Sequence, residues 1–342
     1  MLRGLFRRIA LGLPPVQRLY DSRERLAGQL AACEAELAAC QAEKAVRSPF
    51  YHYHTTFDPE QIIRKFEVVD RQGQPGFYTN FLGVRTALAY LPAFLAPTDG
   101  QAEALPIPAN WHADIAEWGA ALRAVELAKD KFTIIELGCG WGCWMNNTGM
   151  AARLSGLEVH LIGVEGDEAH LDSARATCAL NGFSPDQLSL HRGIAAAVPG
   201  IALFPRVTNG AEQWGLAPVF GASEEQRQEA IQSGHFDELP MIRLDDIAAE
   251  HERIDLLHID IQGGEVDLIG GSLALVNKKV AYLLVGTHSR QIDGLFLDMM
   301  LKAGWKLEIE RPTIFSIDAN GQPVVTVDGV QGWRNPRLLP EG

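Results

Sequence analysis

The stretch Glu136-Leu-Gly-Cys-Gly-Trp-Gly142 places an acid just before three alternating glycines, Gly138, Gly140 and Gly142. Glycines so spaced let a backbone turn tightly and come close to a ligand. A dinucleotide loop of the form G-x-G-x-x-G would put its third glycine at position 143, which is Cys143. The acid favours a ligand with positive charge over a pyrophosphate. A second acid, Glu165, stands in Gly-Val-Glu-Gly-Asp167. A carboxylate there can accept hydrogen bonds from both hydroxyls of a ribose. Nicotinamide enzymes use the same device, so Glu165 marks a nucleoside without choosing among them. A cationic nucleoside fits both acids, and S-adenosylmethionine, with its sulfonium and amino group, is one.

Such a loop works only between a strand and a helix, and the surrounding pattern supplies both. A helix from Ala113 to Lys129 leads into the apolar strand Phe132–Leu137. Further strands are expected at Val159–Val164, Leu188–Arg192, Ile254–Asp260 and Val280–Val285, then Trp305–Glu310 and a hairpin from Thr313 to Val327. Strands alternating with helices imply an α/β fold with a doubly wound, mostly parallel sheet. Ligands of such sheets sit at the carboxyl ends of the strands. Glu136, Glu165 and Asp260 all fall there.

Ile254-Asp-Leu-Leu-His-Ile-Asp-Ile-Gln-Gly-Gly-Glu265 resembles the strand-four signature of the FkbM family of class I methyltransferases, in which Asp-x-Glu-Gly-x-Glu follows an apolar strand. Asp260, Gly263 and Glu265 match, and Gln262 stands where the family usually has Glu. Met241-Ile-Arg-Leu-Asp-Asp-Ile247 is similar to the segment leading into that strand. The resemblance runs from about Trp111 onward. It implies a seven-stranded Rossmann-like sheet and O-methylation of a hydroxyl on a carbohydrate or natural product. It further implies that Glu136, Gly138, Gly140 and Gly142 hold the methionine part, Glu165 the ribose, and Gly193 and Ile194 the neighbourhood of the adenine.

Methyl transfer is an in-line displacement that gains much from positioning. A hydroxyl acceptor gains further from a base. His288, in Val285-Gly-Thr-His-Ser-Arg290, is the expected base, because an imidazole titrates near neutrality. Asp260 is expected to orient the cofactor or the acceptor. His258 reads as a satisfied core histidine. Arg290 reads as surface or as a contact to an anionic acceptor. Cys139 and Cys143 read as packing. Trp141 and Trp144 wall the cofactor or pack the helix behind it. No metal is expected, because the oxygen donors Asp260, Glu265 and Asp167 are not clustered in sequence.

The chain has 342 residues, 47% of them hydrophobic and 21% charged, which suits a soluble globular protein. A net charge of -13 argues against a broad nucleic-acid-binding surface. Five cysteines without paired or zinc spacing fit reduced thiols and a cytoplasmic setting. No apolar run is long enough to span a bilayer. The start, Met1 to Leu13, mixes Arg3, Arg7 and Arg8 with large apolar residues, and a short basic helix of this kind can rest on an anionic membrane surface. A frayed or partner-packed terminus is the alternative.

Three regions are expected. Residues 1–46 form the basic helix and a coiled coil, since Leu26, Leu30, Cys33, Leu37 and Cys40 step by four, three, four and three. A homo-oligomer would follow; the other reading is an amphipathic helix packed on its own domain. Residues 47–110 are rich in aromatics and loops and read as a cap or lid. Their His52 and His54 read first as structural, second as a site. Residues 111–342 form the cofactor-binding domain. The competing functions are a nicotinamide-dependent oxidoreductase and a non-catalytic coiled-coil scaffold carrying a vestigial cofactor fold.

Overall fold

The computed structural model describes residues 22–33, 53–206 and 215–340. The chain divides into two units, the second beginning at His52. In the first, residues 22–33 form a helix, α1, with Leu26 and Leu30 both more than half exposed. The remainder of the expected seam, Leu37 and Cys40, lies outside the described residues, as do the basic start and His52.

The second unit opens with β1 (His54–Thr55), α2 (Pro59–Lys65), and the paired strands β2 (Phe77–Thr79) and β3 (Arg85–Ala87). Each helix start has a local cause. Asp58 caps α2 by accepting from Gln61 N, and Pro59 takes the first position, where a missing N–H costs nothing. Asp114 caps α3 (Ile115–Leu127) by accepting from the amides of Ala116 and Glu117. Strands and helices then alternate: β4 (Lys131–Leu137), α4 (Cys143–Leu154), β5 (Glu158–Glu165), α5 (Glu168–Leu180) and β6 (Leu188–Arg192). Next come β7 (Ile194–Ala196), β8 (Gly200–Pro205), α6 (Glu224–Ser233), β9 (Phe236–Arg243) and α7 (Leu244–Ile247). Alternation resumes with β10 (Ile254–Ile259), α8 (Glu265–Lys279), β11 (Val280–Thr287), α9 (Arg290–Lys302) and β12 (Lys306–Arg311). The hairpin of β13 (Ile314–Ile317) and β14 (Pro323–Val327) precedes β15 (Gly329–Arg334).

The main sheet has the order β1-β12-β15-β11-β10-β4-β5-β6. Its centre is parallel from β11 through β10, β4 and β5 to β6. β15 runs antiparallel to both neighbours, β11 and β12. The expected α/β class and mostly parallel sheet are therefore present, but the strand count is eight, not seven. The extra strand is β1, which pairs His54 with Glu310 and Thr55 with Ile309 along the outer edge of β12. An edge left bare there would expose unpaired backbone groups. The expected hairpin is also displaced from the sheet: β13 and β14 pair only with each other, and β15 fills the interior slot.

β10 is buried at every residue, as an apolar strand covered on both faces should be. One face packs Leu257, Ile259, Leu283 and Val285 against Leu268 and Ile269 of α8 and Phe296 and Met300 of α9. No described helix is long and apolar enough to cross a membrane.

Residues 53–110 are fastened to the α/β unit by a chain of buried amides rather than laid loosely over it. The Asn80 side chain accepts from its own loop at Leu82 N and Val84 N and donates to Asn147 of α4 at 2.7 Å. Asn181, after α5, accepts from Arg85 N, donates to Arg85 O, and also donates to Asn146. Removing one partner of a buried bond leaves the other stranded, at a cost of about 1–3 kcal/mol each. Asn181→Leu should therefore lower the free energy of unfolding by at least about 2 kcal/mol, by the same reasoning. A urea titration that shows no change would mean that Arg85 is held by other contacts.

Candidate functional site

The carboxyl ends of the parallel strands meet along one rim, and the glycine loop lies on it. Gly138 N and Cys139 N both donate to Val164 O at the end of β5. Gly138 has φ +77°, and a Cβ there would stand 2.0 Å from Asp260 O, so only glycine fits. Gly142, also left-handed, is the N-cap of α4 and has no side chain to close the helix start. Glu136 does so instead. Its Oε1 accepts from Trp144 N at 3.1 Å and its Oε2 from Met145 N at 2.8 Å. Burial raises the Glu136 carboxyl to about 8, with those two hydrogen bonds pulling the other way.

The expected contact of Glu136 with the methionine part is thus corrected. The carboxylate is 1% exposed, does not line the cavity, and is spent on the helix. It shapes the loop from behind. Glu165, by contrast, lines a cavity of about 770 Å³. Its two oxygens accept from Gly140 N and Asp167 N, both at 2.9 Å, which fixes the carboxylate and leaves lone pairs for a ligand. The structure brings Gly138, Gly140, Gly193, Ile194 and Asp260 to the same cavity. Gly142 is buried beneath it.

His288 lies between two carboxylates. Its Nδ1 donates to Glu265 Oε1 at 2.8 Å and its Nε2 to Asp260 Oδ1 at 3.0 Å. The Gln262 amide approaches Nε2 at 3.0 Å. Burial opposes a charge on this ring, but the hydrogen bonds to Asp260 and Glu265 overcome it and raise its pKa to about 10. In turn the imidazolium holds Asp260 below the usual carboxylate range, against the effect of burial. His288, the expected general base, is therefore held between two acids, with the Gln262 amide nitrogen also against its Nε2. It positions Asp260 and braces the 260–265 loop, where Gln262 sits at φ +60°, a conformation that non-glycine residues hold only under constraint.

The other residues fall into place around this pair. His258 is buried, and burial draws its pKa down to about 4, so it is neutral; its ring lies against Trp144. Cys139 and Cys143 are free thiols, pushed up by burial, which accords with packing. Trp141 packs against Tyr78, Leu91 and Leu95, and Trp144 against Trp118. The Arg290 guanidinium lies over the Phe315 ring. Asp167 caps α5 by accepting from His170 N. Two cavity acids escaped the sequence reading, Asp267 and Asp328. Asp267 lies two residues past the recognised signature, in the first turn of α8. Asp328 immediately precedes β15, a strand inserted out of chain order, which no local pattern signals.

Residues 134–304 match the profile of the methyltransferase FkbM domain. A protein of Jannaschia sp. (strain CCS1) assigned as a methyltransferase is 44% identical over 276 residues, which is 81% of this chain and 98% of that protein. Among solved structures, a methyltransferase FkbM from Methylobacillus flagellatus KT overlays at 12% identity with a TM-score of 0.40, over 64% of this chain and 54% of its own. This chain thus spans about half the length of that structure. A precorrin-6y C5,15-methyltransferase from Geobacter metallireducens GS-15 overlays at 8% identity with a TM-score of 0.35, over 63% and 86% of the two chains.

The His288 clamp has a consequence for stability. Its folded pKa of about 10 lies above the ordinary 6.5, so its contribution is complete below pH 6.5 and is lost as the pH rises toward 10. The thermal unfolding midpoint should fall across that window. In His288→Asn it should start lower and fall less steeply. Parallel curves for the two proteins would show that the imidazolium is not held as described.

Proposed function

The chain belongs to the FkbM methyltransferase family, and from that premise we propose that it transfers a methyl group from S-adenosylmethionine to a hydroxyl of a carbohydrate or natural-product acceptor. The observation that carries the cofactor choice is the one at the start of α4. A helix N-terminus beside a glycine loop ordinarily offers its free amides to phosphate. Here Glu136 has already taken the amides of Trp144 and Met145. The cavity beyond is lined by Glu165, Asp260, Asp267 and Asp328 and, among the described residues, by no Lys or Arg. That lining disfavours a pyrophosphate and suits a cationic nucleoside, which argues against the nicotinamide reading.

The residues fit such a cofactor. In this reading Glu165 accepts from the ribose hydroxyls, Gly193 and Ile194 border the adenine, and the loop backbone at Gly138 and Gly140 meets the amino-acid part; that all of them line one cavity supports it. S-adenosylmethionine supplies, when bound, an electrophilic methyl group on sulfur. Asp260, oriented by His288, holds a fixed negative charge on the cavity wall. A neutral, hydroxyl-bearing acceptor suits this acidic site better than an anionic one, since like charges close together repel.

Calorimetry should show binding of S-adenosylmethionine and none of NAD. Glu165→Ala should weaken that binding by about 1–3 kcal/mol, the cost of losing charged hydrogen bonds. Unchanged affinity in a protein with an intact fold would reject the ribose role. Binding of NAD alone would reject the methyl-transfer reading.

We also propose that α1 pairs with its counterpart in a second copy. A helix of this length is marginal in water on its own, and Leu26 and Leu30 leave an apolar stripe bare. Deleting residues 1–46 should lower the particle mass in light scattering to that of fewer subunits while cofactor binding persists. An unchanged number of subunits per particle would exclude the coil as the assembling element.

A further inference from the structure

Both ring nitrogens of His288 already meet carboxylates, so a proton leaving the acceptor hydroxyl needs a lone pair that no neighbour has taken. We propose that Asp328, immediately ahead of β15, is the catalytic base that takes it; this rests on the methyl-transfer reading above.

The topology brings Asp328 to the carboxyl ends of the parallel strands. β15 runs antiparallel to β11, and its first residue, Gly329, stands opposite Thr287, the last residue of β11. Continued by one residue, that register sets Asp328 beside His288, and residues so opposed project to the same side. Asp328 accordingly lines the cavity together with Asp260 and Glu165. The strands approach closely here because position 329 has no side chain: a Cβ would collide with Thr287 Oγ1 and Asp293 Oδ1. The main chain is also tied in place. Arg311 of β12 donates to Asp328 O and pairs with Asp114 at the start of α3. The buried Asp293 carboxylate of α9 accepts from the Thr287 hydroxyl and from Thr313 N, the latter at 2.9 Å, and Asp293 O accepts from the Gln331 amide at 3.1 Å. One residue thus secures β11, β15 and the entry to β13. A base must be presented at a fixed place, and these contacts fix the backbone that carries it.

The side chain itself is uncommitted. Among the described residues four acids line the cavity: Glu165, Asp260, Asp267 and Asp328. Glu165 gives both oxygens to loop amides, and Asp260 accepts from His288. Asp267 is exposed in the first turn of α8, where the helix dipole favours its anion and so weakens it as a base. The Asp328 carboxyl makes no hydrogen bond or ion pair with the described residues; only its main-chain carbonyl is engaged. The residue is exposed, so an acceptor can reach it. The charges it faces are His288 after β11, Asp260 and Glu265 after β10, and Arg311 on β12. The protein around it displaces part of its water, which raises its pKa. His288 and Arg311 draw it back, while Asp260 and Glu265 add to the rise. A carboxyl so raised is a stronger base than an ordinary aspartate.

The step balances without a further reagent. The hydroxyl proton passes to an Asp328 oxygen as the acceptor oxygen bonds to the methyl carbon. The bond from that carbon to sulfur breaks, and its electron pair stays on sulfur, which leaves S-adenosylhomocysteine neutral at that atom. Asp328 then releases its proton to water.

The test has two arms. In calorimetry, Asp328→Asn should bind S-adenosylmethionine within a few-fold of the parent, because the carboxyl serves the acceptor and not the cofactor. A loss of affinity of about tenfold or more in a folded variant would overturn the assignment whatever the acceptor. In the second arm, methyl-labelled S-adenosylmethionine is supplied with a pool of glycosides and phenolic natural products. Asp328→Asn should cut labelling roughly 10²–10⁴-fold and abolish the rise of kcat/KM with pH that the parent shows. Asp328→Glu should recover part of the rate. Turnover of Asp328→Asn within a few-fold of the parent, or a pH profile unchanged by the substitution, would overturn the assignment. A parent that binds no S-adenosylmethionine, or that labels no hydroxyl in the pool, would instead refute the reading on which it rests.

Discussion

The carboxylate of Glu136 sits under the first turn of α4 and takes two of the amides that every helix leaves unpaired at its start. Because the acid belongs to β4 and the amides to α4, this contact sets the distance between sheet and helix. The chain between them must then turn back within six residues. It does so through left-handed glycines, one of which presses against the backbone at Asp260. The helix end is no longer a free positive pole. What remains open to a ligand is a wall of carboxylates and bare backbone.

Charge on that wall is arranged rather than merely accumulated. His288 neutralises part of the Asp260–Glu265 pair and thereby holds a loop whose backbone at Gln262 would otherwise relax. At the family's usual Glu position stands Gln262, whose amide nitrogen lies 3.0 Å from His288 Nε2 where a third carboxylate would otherwise be. Asp260 stays ionised and fixed in direction. Preorganised charge of this kind is worth more than mobile charge, because it needs no rearrangement when a ligand's own charge shifts.

The strand–loop–helix frame was legible because its signals are local. An apolar run, a glycine triplet and an acid at the end of the next strand each occupy a few consecutive residues, and the strands at 132–137, 188–192 and 254–259 lie within a residue or two of their expected bounds. The roles within the site were less legible. Glu136 was read as facing the ligand, yet a carboxylate beside a helix start has a nearer partner in the amides. His288 was read from the ordinary pKa of imidazole, but its value is set by Asp260 and Glu265, which lie more than twenty residues earlier. The slot filled by β15 was unreadable for the same reason: order along the chain is not order across the sheet.

That slot bears on how the protein comes to exist. β15 leaves the ribosome after both β11 and β12, yet it wedges between them. Until it arrives, those two strands have no shared neighbour, and Asp328, just ahead of it, cannot reach the cavity wall. The sheet therefore cannot close outward from a finished amino-terminal half. A nascent chain must wait with two apolar edges open, exposed to chaperones and to wrong pairing, since non-local strands order late. A product cut short of residue 329 would lack β15 and leave β11 and β12 without the neighbour they share.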